Sequence, residues 1–419
     1  MSIIVRQDDV RRQNQFGVLM ALRRHGPMSR TELSAETGLS ASTVTVITNS
    51  LMERGALSAD PIAEAGAQRR GRPQVSVRPR PAHATIAVVF VGLNTIQTAL
   101  ADYSGQVFAF ETRSIATKRM TAEALGKEVS GLLGEMLEKY ARDAGPLLRI
   151  SAAVEGIVDA DRKTLLSSPV IDLINVPLGH YLEDRFGVEV EISNESNMIA
   201  EALHWRAPER YGANFATVLL STGVGMGLYM DGRMFSGVRS SAVEFGHTNF
   251  RPDGALCRCG RRGCIEAYAG TYSLWRAVRG VPETQLLEED PPEDALQTLI
   301  SAARAGEGPE RQAFREAGKA IGTGLSNVFT LFDPIPLVFT GPGIAAMEFM
   351  EDSIHEALSR ACFGQPVPIS VVDSYLDYRS LIREGCLMRA LVFLDESLPD
   401  QGETRERREA PQPQASSAL

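Results

Sequence analysis

Lysine is absent from the first 82 residues, which carry twelve arginines against seven acidic side chains, a balance of +5 in a chain of overall charge −9. The remainder therefore holds −14. This asymmetry excludes a protein that coats nucleic acid along its whole length, and it fits a small basic DNA-reading head on an acidic body. Long apolar runs are missing too. None approaches the about twenty residues of a membrane-crossing helix, and the N-terminus lacks the apolar core of a signal peptide, so a cytoplasmic protein without membrane contact is expected. Cysteine is scarce, five in 419 residues, which excludes a scaffold built on disulfides. The length is ample for two or three domains, each with its own core.

Within residues 10–24, Phe16, Leu19 and Met20 fall on one face at helical spacing, with arginines at both ends. They predict an amphipathic helix ended by His25-Gly26-Pro27. Ser29-Arg30-Thr31-Glu32 has the spacing of a capping box opening a second helix, which stops at Thr37-Gly38. A third helix after Leu39-Ser40 sets Val44, Ile47 and Leu51 on one side and short polar side chains on the others. Two short helices joined by a tight Gly-containing turn make a helix-turn-helix whose second helix can enter a major groove. Arg30, Ser40, Ser42, Thr43, Thr45 and Thr48 are the expected DNA contacts, since short polar groups suit phosphates and base edges. A strand near residues 56–60 and the alternating Gln74-Val75-Ser76-Val77-Arg78 add a wing. The DNA-binding domain is expected at residues 1–80, and Arg78-Pro79-Arg80-Pro81 reads as a stiff, extended connector.

Beyond the connector the pattern changes. Apolar strands at 85–92, 150–154, 188–192, 215–220 and 335–343 alternate with helices near 122–143 and 177–185, the signature of an α/β fold. This second domain is expected over residues 84–396, and the Pro- and Gln-rich residues 397–419 read as a disordered tail. No internal repeat is visible.

One stretch, Glu244 to Glu266, concentrates the chemistry. Cys257, Cys259 and Cys264 lie within eight residues, and His247 precedes them by ten, the ligand types that tetrahedral zinc takes. Gly260 and Gly263 let so short a loop turn its thiolates inward. Three cysteines cannot pair evenly, which speaks against a disulfide. The Glu-x-x-His, Cys-x-Cys-Gly-x-x-Gly-Cys and trailing x-Glu elements resemble the zinc signature of the ROK family of repressors, open reading frames and sugar kinases. The head is similar as well, in Ser29-Arg30-x-x-Leu33, Gly38-Leu39-Ser40 and Gly71-Arg72-Pro73.

The resemblance implies an N-terminal winged helix-turn-helix, with Arg70 and Arg72 at a minor groove, followed by a two-lobed actin/hexokinase-like domain. It also implies a sugar held by Asn194, Glu195, Glu244, His247 and Glu266, and Zn2+ held by His247, Cys257, Cys259 and Cys264. A ROK kinase needs a carboxylate in an Asp-x-Gly-Gly-Thr turn, where this chain has Phe90-Val91-Gly92-Leu93-Asn94. The general base of Asn-Asp-x-Asn is replaced by Glu195, which moves the oxygens by about a bond length, and such displacement can cost about a hundredfold in rate. Glu155-Gly156 stands where many relatives have Pro-Gly. The Gly-rich turn Thr222-Gly223-Val224-Gly225-Met226-Gly227 remains. The expectation is a non-enzymatic, sugar-responsive repressor of carbohydrate genes. Its expected partners are operator DNA and a sugar or sugar-phosphate effector, and it would act as a homodimer or homotetramer. The alternative is an ATP-dependent sugar kinase fused to a DNA-binding head.

Overall fold

The computed structural model describes residues 7–61, 75–143, 145–168, 173–241, 243–361, 369–371 and 377–398. Arg70 and Arg72, and residues 399–419 of the expected tail, lie outside the described residues.

The head consists of helices α1 (Gln7–His25), α2 (Arg30–Thr37) and α3 (Ala41–Glu53) with a small antiparallel sheet ordered Met28–Ser29, Val75–Pro79, Leu57–Pro61. Both expected helix starts are formed. Ser29 accepts from the Glu32 amide while its own amide donates to Glu32 Oε2, closing the capping box, and Ser40 caps α3 through the Thr43 amide. Gly38 ends α2 at φ 68°, left-handed backbone that only glycine adopts readily. The expected connector begins later than its sequence suggests. Pro79 pairs with Leu57 as the last residue of the wing strand, where its missing N–H is tolerated, and only Arg80 to His83 link the domains.

The rest forms two lobes of the same design. In the first, Thr85–Gly92, Thr95–Asp102 and Val107–Ser114 run antiparallel, and Leu147–Val154 and Glu189–Asn194 add in parallel on the other side. The second repeats this order with Phe215–Leu220, Val224–Met230, Arg233–Met234, Leu337–Thr340 and Ile369–Val371. The duplication is invisible in the sequence because a strand needs only buried apolar residues, and many combinations supply them. Each central strand opens directly into a hairpin turn; the second turn, at Gly223, lines the cleft between the lobes, and the first, after Gly92, lies against Glu155, which lines it too.

The C-terminal helix Tyr378–Ser397 packs on the first lobe's sheet and along the helix Glu195–Arg206. Its Leu381, Ile382, Cys386, Leu387, Ala390 and Leu391 share one continuous core with Val18, Leu19 and Leu22 of α1 and with Met198, Ile199 and Leu203. The head is therefore seated on the lobe by buried apolar contact, over and above the short link. Among the described residues no helix is long and apolar enough to cross a membrane.

Candidate functional site

All five side chains expected to hold a sugar line one cleft between the lobes, and Glu155 joins them. The strand Glu189–Asn194 delivers Asn194 to the cleft as the cap of the next helix. Its Oδ1 accepts from the Ser196 amide at 2.8 Å, and its Nδ2 donates to the Gly156 carbonyl at 2.9 Å and to Glu195 Oε2 at 3.0 Å. Burial pushes the Glu195 carboxyl well above its ordinary range, and the neighbouring charges of Glu155 and Glu244 push the same way. Burial likewise raises Glu155, against the Leu93 amide and the Arg379 charge, and lifts Glu244 to about 7 with help from Glu266 and against Arg261.

Glu155 had registered in the sequence only as a departure from Pro-Gly. Its place at the carboxyl end of a parallel strand, where α/β sheets bind ligands, is the signal that marks it as a cleft residue. It also closes the first hairpin turn. Glu155 Oε2 accepts from the Leu93 amide at 3.1 Å, and a Cβ on Gly92 would stand 2.8 Å from Glu155 Oε1 and 2.9 Å from the Phe90 ring. The turn that holds metal and phosphate in a kinase is thus packed with an aromatic ring and a carboxylate. The second turn is treated alike: Val224 donates its amide to Glu266 Oε2 at 3.2 Å, and a Cβ on Gly223 would lie 2.5 Å from that oxygen.

The metal-ligand set also assembles. One donor atom from each of His247, Cys257, Cys259 and Cys264 lies within 4.8 Å of the others. His247 Nδ1 and Cys257 Sγ are 3.6 Å apart, and Cys259 and Cys264 Sγ are 3.7 Å apart. A tetrahedron with metal–sulfur bonds of about 2.3 Å has edges of about 3.8 Å, so the donors could hold a metal ion with little movement. Gly260 and Gly263 turn with φ of 82° and 74°, and a Cβ on Gly263 would strike the Arg251 carbonyl at 1.8 Å. Glu266 bridges the two centres, since its other oxygen lies 3.7 Å from Cys257 Sγ and 3.4 Å from the Tyr272 hydroxyl. The loop's arginines do not all face solvent. Arg258 stacks 4.1 Å over the Tyr272 ring and pairs with Asp290, because the aromatic face offers its guanidinium a better seat than water.

On the head, Ser40, Ser42 and Thr45 are exposed and Thr43 is half-buried. Thr48 corrects the expectation. It is 0 % exposed, and its hydroxyl donates to the Val44 carbonyl, so it faces the core and cannot touch DNA. Arg30 is engaged within the head, donating through Nε to Thr48 Oγ1 and through a terminal nitrogen to Asn49 Oδ1, both at 2.9 Å. Val46, 62 % exposed, and exposed Asn49 extend the exposed face of α3 as a 42-45-46-49 stripe at i, i+3, i+4, i+7 spacing. A bare valine suits a thymine methyl, and asparagine suits an adenine edge.

The head is locked to the lobe by a buried ion pair. Arg23 of α1 donates through Nε to Asp395 Oδ2 at 2.9 Å and through a terminal nitrogen to Oδ1 at 3.0 Å, with side-chain exposures of 3 % and 0 %. Tyr103, on the first lobe, donates its hydroxyl to the same carboxylate and lies under the Arg23 guanidinium. Three segments distant in sequence thus meet at one carboxylate.

A winged helix-turn-helix seated on a two-lobed sugar-kinase-like body with a carboxylate-lined cleft is the build of a ligand-responsive DNA-binding protein. The chain belongs to the ROK family, whose model matches residues 86–382, and a MarR family model matches residues 8–66. It is 26 % identical over 385 residues to the DNA-binding transcriptional dual regulator NagC of Escherichia coli K12, covering 91 % of this chain and 93 % of that one. It is 25 % identical to the xylose repressor of Bacillus subtilis over 362 residues, 86 % of this chain and 90 % of that one. In fold it is similar to a ROK family transcriptional regulator homologous to the E. coli MLC protein, with TM-score 0.74 and 21 % identity over 92 % of this chain and 99 % of that one. It also resembles a ROK glucokinase from Streptomyces griseus in fold, with TM-score 0.57 and 24 % identity over 73 % and 99 % of the two chains.

Proposed function

We propose that this chain is a sugar-responsive transcriptional repressor that binds operator DNA through its head, senses a sugar in the interlobe cleft and transfers no phosphoryl group. The observation that carries this reading is the unequal fate of the cleft's two halves. The hydroxyl-binding carboxylates and His247 are gathered together, while both phosphate-type turns have an amide taken up by the protein's own glutamates. Carboxylates accept from vicinal hydroxyls, so Glu195, Glu244 and Glu266 suit a polyol.

Zinc is the metal that three thiolates and an imidazole fit, and it would hold the Glu244–Glu266 segment in shape. With Nδ1 of His247 turned toward Cys257, Nε2 remains for a sugar hydroxyl. Sugar bound to Asn194 and Glu195 acts on the first turn of the helix Glu195–Arg206. That helix packs against Tyr378–Ser397, which grips α1 through Asp395. In a homodimer or homotetramer this route would alter the spacing of paired heads. Release from DNA follows if the sugar binds the DNA-free arrangement more tightly.

The test is a thermal-shift screen of the zinc-loaded protein against monosaccharides, their N-acetyl and phosphorylated forms, and ATP with magnesium. A DNA site selected from a random pool is then challenged with any stabilising sugar. Stabilisation by one sugar class, silence with ATP and release of the DNA are expected. Phosphorylation of a hexose by ATP would overturn the reading in favour of the kinase.

A further inference from the structure

The four carboxylates of the cleft are not equivalent. Glu195, bonded to its neighbour Asn194 through one oxygen, and Glu244 line the cleft away from the turns, whereas Glu155 and Glu266 each cap a hairpin turn, one in each lobe. A tight turn beside a glycine leaves backbone amides that can attract a phosphate; the second turn lines the cleft at Gly223 and Val224, and the first, Leu93-Asn94 after Gly92, lies directly behind Glu155. Here the Leu93 amide is bonded to Glu155 and the Val224 amide to Glu266. The space above Gly92 is filled by the Phe90 ring and Glu155, and that above Gly223 by Glu266. The cleft lining otherwise holds Glu195, Glu244 and His247 as its titratable groups, and no lysine or arginine is among the residues that line it. The nearest guanidinia, Arg379 beside Glu155 and Arg261 beside Glu244, offset part of the negative charge from outside the lining.

A phosphoryl group entering this cleft meets crowded carboxyls, finds an amide of each turn already taken, and has no lysine or arginine in the lining to pair with. A neutral sugar meets acceptors that match its hydroxyls. From this, and resting on the proposed sugar-sensing role, we infer that the effector is an unphosphorylated sugar and that Glu155 is the residue that excludes the phosphorylated form. Glu155 does so by occupying the Leu93 amide and by charge. Its position at a strand end beside Gly156, whose carbonyl holds Asn194, keeps it fixed in the cleft wall. A flexible surface carboxylate could swing away; this one is held by the turn it caps.

The test compares matched pairs on the zinc-loaded full chain by calorimetric titration: glucose against glucose 6-phosphate, N-acetylglucosamine against N-acetylglucosamine 6-phosphate, and mannose against mannose 6-phosphate, with inorganic phosphate as control. For whichever sugar binds, the free form is expected to bind at least about tenfold tighter than its phosphate ester, the effect of a like charge brought close in a partly dry site. Inorganic phosphate is expected not to bind. In Glu155→Gln, which keeps the shape and an acceptor for the Leu93 amide, the gap should narrow at least about threefold, mainly through gain by the ester. A phosphate ester that binds as tightly as the free sugar, or tighter, overturns the inference. So does a Glu155→Gln variant that weakens both forms equally, which would mark Glu155 as structural only. Silence of both members of every pair instead sinks the sugar-sensing role itself, so the two failures are told apart.

Discussion

The two lobes share one strand order, yet their hairpin turns have diverged. In the second lobe Gly223, Gly225 and Gly227 persist, and Glu266 ties the turn to the cysteine cluster. In the first, a phenylalanine and a leucine replace the acidic and small residues that a phosphate–metal site needs, and Glu155 takes up the Leu93 amide. A cleft can therefore keep its capacity to recognise a sugar while losing the means to transform it, because recognition rests on side-chain carboxyls and transfer on free turn amides and a metal-holding acid. Recognition is compatible with buried, raised-pKa carboxylates; phosphoryl transfer requires free amide donors and a metal-holding acid.

The sharpest way to break this asymmetry is to remove the second lobe's support. Cys264→Ser should abolish tight zinc binding and cost more than about 5 kcal/mol, since structural zinc contributes about 10 kcal/mol or more in small sites. Metal analysis with thermal melting reads both losses, and full zinc content in the variant would refute the ligand assignment. On the other wall, the first lobe bears the junction to the head. Arg23→Ala strands Asp395 in the core and should cost about 3–5 kcal/mol, read as a lowered denaturation midpoint. Asp395→Asn in the same assay should cost less, because Tyr103 can still bond the amide.

A smaller effect tests the head alone. Thr45→Ala and Asn49→Ala should each weaken binding to a selected DNA site by about 1–3 kcal/mol while leaving sugar binding intact, whereas Thr48→Ala should act on stability and leave base preference unchanged. Mobility-shift titrations separate these outcomes. The smallest effect probes the cleft. The folded-state pKa of Glu195 lies above its unfolded value, so its protonated form favours folding in acid and its ionised form opposes folding once pH rises through the folded-state value. Glu195→Gln should therefore stabilise the sugar-free protein by about 1 kcal/mol at pH 8, with no gain at pH 4, in parallel melts. A stability gap independent of pH would show that the carboxyl is not strained by its neighbours.

Local features were legible in the sequence. The Ser29 and Ser40 caps, the Gly38 stop, the strand Phe215–Leu220 and the four-residue metal set needed only short spacing and residue type. Features that depend on distant partners were not. Thr48 looked like its neighbours Thr43 and Thr45 until the packing of α3 turned it inward. The contact of Arg23 with Asp395 crosses 372 positions, and nothing near either residue announces the other. Glu155 read as a missing proline because its partner, the Leu93 amide, lies 62 residues away across a parallel strand pair. The cleft was visible as a list of side chains, and its electrostatic character emerged only once four carboxylates faced one another.

The merged core of α1, Glu195–Arg206 and Tyr378–Ser397 has a consequence for how the molecule comes apart. Two domains on a flexible tether melt independently, each with its own denaturant dependence. Here α1 and the helix Tyr378–Ser397 hold each other's apolar faces, so part of the head's interior is completed by that helix. Calorimetry should show the head and first lobe lost in one concerted endotherm, and a chain cut before Tyr378 should yield a head that exchanges its amide hydrogens as an unfolded peptide does.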